Sequence, residues 1–135
     1  MDWVTKRLEW HEVVFPGVQH YTDMRLEPDG LVYGIADRKR WFVFDPIRKK
    51  VVHEEDTQTK FGLTISQQGP RVIVLGPGNK IYMLFVKGIA RVDPATLRIT
   101  ILADSPVPIG AGGGILNGRI YFASGSHVYS YAVPD

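Results

Sequence analysis

The sequence predicts an all-β fold built from an internal repeat, and three observations lead to it. Short runs of β-branched and aromatic residues, bounded by Gly, Pro, Asn and Asp, recur along the 135 residues. No window keeps an apolar 3.6-residue period with capping residues, so helices are not expected. The pair Asp45-Pro46 returns as Asp93-Pro94, and Tyr33, central in the strand before it, returns as Tyr82. The separations are 48 and 49 residues, a period typical of units that cannot bury their apolar faces alone and must stack.

Taken in order, the expected strands are 7–15, 21–26, 31–36, 41–45, 50–54, 71–75, 80–85, 88–92, 98–102, 113–116, 119–123 and 127–132. They fall into sets of four with a shared grammar. A first strand ends at a turn containing Gly or Asn (Pro28-Asp29-Gly30, Pro77-Gly78-Asn79, Asn117-Gly118), residues that tolerate positive φ. A second strand carries Tyr33, Tyr82 or Tyr121, expected as core. The third strand of the first two sets closes at Asp-Pro, where Pro presets φ for a type I turn and Asp accepts backbone hydrogen bonds. Fourth strands begin at Lys50 and Arg98; the last set runs out of chain before its own.

These residues resemble the four-stranded blades of β-propellers, in the broad group of kelch-type, lactonase-type and streptogramin-lyase-type repeats. The resemblance covers about 115 residues and implies a radial, all-β architecture. Such repeats often have Gly where Lys49 and Leu97 stand here. The domain is expected to span 1–135, with a closing outer strand at 7–15, blades at 20–56 and 69–104, and the three inner strands of another blade at 110–135. Strand 7–15 precedes the first blade and the last blade lacks an outer strand. Three blades per chain are too few for a ring, since propellers have 4–8. The expected assembly is therefore half a propeller per chain, closed as a six-bladed ring in a homodimer by pairing 7–15 of each subunit with 127–132 of the other.

Composition narrows the function classes. The chain has no cysteine, so disulfides, thiolate metal sites and cysteine nucleophiles are excluded. A net charge of +2, from 16 basic and 14 acidic residues, gives no nucleic-acid footprint. The basic runs Arg38-Lys39-Arg40 and Arg48-Lys49-Lys50 fall at expected hairpin turns and read as solvated charge. No apolar run approaches the ~20 residues of a membrane span, and the first residues lack the apolar stretch of a signal peptide, so a cytoplasmic protein with no membrane partner is expected.

Propeller-like folds place ligands where loops enter the innermost strands. Here these are 16–23, 66–71 and 108–114, and the expected ligand contacts are His20, Tyr21, Asp23, Gln67, Gln68 and Arg71. The run Gly110-Ala111-Gly112-Gly113-Gly114 has no Lys-Ser/Thr after it and reads as a strand passing close to a neighbour, not as a phosphate loop. His11, His53 and His127 have no partner at ligand spacing and read as packing or surface residues. No catalytic residue, metal or cofactor is expected. The leading expectation is a non-enzymatic module that binds a small molecule, glycan or protein at the channel mouth. The alternative is a metal-dependent lyase- or lactonase-like enzyme in which His20 and Asp23 hold Mg or Ca.

Overall fold

The computed structural model describes residues 21–27, 29–65 and 72–134, so the expected strand 7–15 lies outside the described residues. Eleven strands follow in order among them: β1 (Tyr21–Leu26), β2 (Val32–Ala36), β3 (Arg40–Asp45), β4 (Lys50–Asp56), β5 (Ile73–Gly76), β6 (Lys80–Phe85), β7 (Gly88–Asp93), β8 (Arg98–Asp104), β9 (Ala111–Leu116), β10 (Arg119–Ser124) and β11 (His127–Ala132). They form antiparallel meanders in the orders β1-β2-β3-β4, β5-β6-β7-β8 and β9-β10-β11, compatible with propeller-like blades. The first strands neighbour one another, β5 lying between β1 and β9.

Turn chemistry makes the meanders. Asn117 and Gly118 have φ of 51° and 75°, so the β9–β10 hairpin turns on two left-handed residues that match the strand twist. Asp45 Oδ1 accepts from Ile47 N at 2.9 Å and Arg48 N at 3.1 Å, and Asp93 Oδ1 accepts from Ala95 N at 2.8 Å. Both turns then pass through a left-handed residue without glycine, Lys49 at φ 58° and Leu97 at φ 59°. A left-handed conformation costs a residue with a Cβ about 1–2 kcal/mol, offset in part by the backbone entropy that Gly loses on folding. Lys49, exposed, should therefore gain stability on Lys49→Gly, by about 0.5–1 kcal/mol. Leu97→Gly should gain nothing, because Leu97 also packs on the core. Urea midpoints of the two variants check this contrast.

The middle sheet is buried on both faces, as the run Ile81, Tyr82, Met83, Leu84, Phe85 shows. One core joins it to Tyr33, Ile35, Trp41 and Val43 of the first sheet and to Ile120 and Phe122 of the third. Gly88 lets β7 and β8 approach: a Cβ there would stand 2.5 Å from the Ala103 carbonyl oxygen. Between the first two sheets the chain makes a four-residue helix, α1 (Gln58–Phe61), which sequence periodicity is too short to reveal. The segment is pinned by Thr57 N donating to Lys39 O at 2.7 Å, Arg38 Nε donating to Thr64 O at 3.0 Å, and a bridge between Thr64 and Phe85. Arg38, read as solvated charge, is thus partly structural.

Two further expectations are corrected. Tyr121 is 38% exposed, whereas Tyr33 and Tyr82 are core residues. The three occupy one repeat position, but among the described residues no sheet follows the third to cover Tyr121. In the glycine run, a Cβ at Gly110 would meet the Ala123 carbonyl oxygen only at an ordinary 3.6 Å, and a Cβ at Gly114 would meet nothing. Gly114 is demanded by its φ of +112° at the irregularity in the β9–β10 register, not by crowding.

Candidate functional site

β1, β5 and β9 enclose a cleft of ≈ 200 Å³ lined by Arg25, Ile73, Val74, Leu75, Gly114 and Ile115. One residue set from each first strand therefore meets on the inner side of the three sheets. Arg25 supplies its only charge. Its Nε donates to Ile73 O at 3.3 Å and lies 3.8 Å from Asp23 Oδ1, which fixes the stem of the guanidinium against β5. The terminal guanidinium nitrogens keep no partner among the described residues. An arginine at the edge of an apolar cleft can hold a carboxylate or another planar anion.

Of the expected contacts, His20, Gln67, Gln68 and Arg71 lie outside the described residues. Tyr21 and Asp23 are described, and the irregularity in β1 between them turns them to different neighbours. The Tyr21 ring sits edge-on to Phe42 at 5.7 Å between centroids, on the outer face of the first sheet. Asp23 faces the second sheet. Its Oδ2 accepts from Val72 N and Ile73 N, each at 3.0 Å, while Oδ1 accepts from Met24 N at 2.8 Å. Both carboxylate oxygens are engaged by backbone, so Asp23 clasps the entrance of β5 to β1. The fold has used this carboxylate to satisfy two amides that no strand partner reaches.

Arg25 was missed because attention fell on the loops before the first strands and not on the strands themselves. A charged residue in the middle of an inner strand was the available signal. His53, read as lacking an acidic partner, has one: Nε2 is 3.3 Å from Glu55 Oε1, two residues along the same face of β4, and the imidazole packs on Trp41 with centroids 4.7 Å apart. The pair covers the edge of the core and converges on no third ligand. Among the described residues no group of three or more His, Asp or Glu side chains is placed to hold a metal, and no helix is long and apolar enough to cross a membrane.

A second concave site lies where the β1–β2, β5–β6 and β7–β8 turns meet. It is small, ≈ 110 Å³, and lined by Glu27, Asp29, Asn79 and Pro94. Glu27 is only 5% exposed and its Oε1 has no hydrogen-bond partner. Burial, then the nearby Asp29 carboxylate, push its pKa up to about 6. The Tyr33 hydroxyl is also buried, and burial, followed by the Asp29 and Glu27 charges, pushes its pKa up to about 12.

No protein-family model matches the sequence, and no curated protein matches it either.

Proposed function

We propose that the protein is a non-enzymatic binding module, half of a six-bladed propeller, that assembles as a homodimer and takes its ligand at the axial face. One observation carries this reading: among the described residues, both end sheets expose apolar side chains at positions that the repeat covers elsewhere. Met24 and Leu26 of the first sheet correspond to Ile73 and Leu75 of the second. In the second sheet Ile73 is buried and Leu75 is 40% exposed; in the first sheet Met24 is 53% and Leu26 67% exposed. At the opposite end Leu116 is 63% and Val128 77% exposed beside Tyr121. The Tyr121 side is the kind of face that, at Tyr33 and Tyr82, is covered by the next sheet.

A second copy supplies both missing surfaces at once through a two-fold axis, the first sheet of each chain meeting the third sheet of the other. Among the described residues β11 is an edge strand, whereas its equivalents β3 and β7 are covered by β4 and β8. The proposed pairing of 7–15 with 127–132 of the partner would complete that edge. Two clefts bearing Arg25 would then face a common axis, enlarging a space that is small for a ligand site in one chain. Arg25 with apolar walls suits a small molecule that carries a carboxylate. The commitment of Asp23 to backbone favours this reading over the lyase-like one.

Light scattering should return about twice the 15.2 kDa of one chain, with a melting temperature that rises with protein concentration. Val128→Glu and Leu116→Glu, at side chains 77% and 63% exposed, should abolish both. A monodisperse monomer with a concentration-independent melt would overturn the dimer.

A further inference from the structure

We propose that the pocket between Glu27, Asp29 and Asn79 is a weak site for a calcium-sized cation, which locks the first sheet to the second at the end remote from the helical connection. The site is independent of the axial cleft. Its residues come from the β1–β2 turn on one side and from the β5–β6 and β7–β8 turns on the other.

A buried polar atom points to a ligand. A carboxylate oxygen in a residue 95% removed from water, with no donor to meet it, is costly to leave alone, and Glu27 Oε1 is in that state. Asp29 Oδ1 accepts from Leu31 N at 2.9 Å, which orients the carboxylate and leaves its second oxygen for the pocket. Asn79, held at φ 61° in the turn, adds an amide.

The chemistry of the donors selects the occupant. Two carboxylates and an amide carbonyl offer oxygen donors without imidazole or thiol, which favours a hard cation over zinc or copper. A space of ≈ 110 Å³ admits an ion with its remaining water but not a sizeable organic molecule. Donors delivered by turns of two sheets are irregular, a geometry that calcium accepts and magnesium, with its octahedral demand, does not. Two carboxylates place the affinity in the weak class, Kd on the order of 10⁻⁴–10⁻³ M.

Glu27 and Asp29 line the pocket, and Lys80 and Arg91 line the adjoining cleft that shares Asn79 and Pro94.

Melting curves of the full chain at pH 7.5 in 10 mM CaCl₂, 10 mM MgCl₂ and NaCl of matched ionic strength test the proposal. Calcium should raise the melting temperature by roughly 3–6 °C, with little effect from magnesium or NaCl. Glu27→Gln should keep its stability without calcium and lose the response. A parallel measurement needs no variant: Tb³⁺ should show luminescence on excitation of the aromatic residues, and calcium should displace it at millimolar concentration. Equal shifts in calcium, magnesium and NaCl, an unchanged calcium response in Glu27→Gln, or the absence of displaceable Tb³⁺ luminescence would each overturn the site.

Discussion

Trp41→Ala is expected to destabilise the protein by about 3–5 kcal/mol, a large part of the 5–15 kcal/mol that ordinary domains possess. Trp41 is fully buried in β3, opposite Ile35 and Glu55, with the Tyr33 ring at 6.4 Å and the His53 ring at 4.7 Å between centroids. Removing the indole leaves a cavity at the junction of the first and second sheets, where three neighbours are themselves held by other contacts. Trp41→Phe should cost far less, under about 1.5 kcal/mol, for a specific reason. The indole Nε1 is buried without a hydrogen-bond partner, so part of what the ring contributes is already offset by a desolvated N–H that Phe lacks. Urea denaturation at one fixed protein concentration gives both values, with m unchanged if only stability has moved. A loss below about 1 kcal/mol for the Ala variant would remove Trp41 from the core and with it the assigned facing of β3.

Asp23→Ala is expected to cost about 2–4 kcal/mol. The carboxylate accepts from Val72 N and Ile73 N across 49 and 50 residues of sequence, and these are charge-assisted bonds at the entrance of an inner strand. Truncation leaves two amides near the protein interior without an acceptor and frees Arg25 from a neighbour 3.8 Å away. Asp23→Asn should lose only about half as much, because the amide oxygen can still accept from β5 while the charge is gone. If Asp23 were instead a free ligand contact of the channel mouth, both variants would melt with the parent. The structure makes it a fastener first, and any effect of Asp23 on ligand binding would act through the placement of Arg25.

Much of the fold was legible because its determinants are local. All eleven described strands begin within two residues of their expected positions, and the exact match at 21–26, 80–85 and 127–132 follows from turns made by Gly, Asn and Asp-Pro. Local also is the left-handed strain at Lys49 and Leu97, visible in the sequence as the absence of a glycine that the repeat calls for. The helical segment after β4 was not legible, since four residues are shorter than one amphipathic period.

The candidate sites were less legible, for a different physical reason. Composition and spacing can nominate Asp23, but only the approach of β5 decides that its oxygens meet amides and not a ligand. Nothing in Glu27-Pro28-Asp29-Gly30 beyond a turn announces a buried, unpartnered carboxyl; Asn79 and Pro94 create it by arriving from another sheet. Sequence by itself determined the strands, the turns and the repeat, because each depends on neighbours a few residues away. Tertiary structure alone decided which equivalent residue is covered: Tyr33, Tyr82 and Tyr121 share one repeat position, and among the described residues only the first two have a following sheet against which to lose their water.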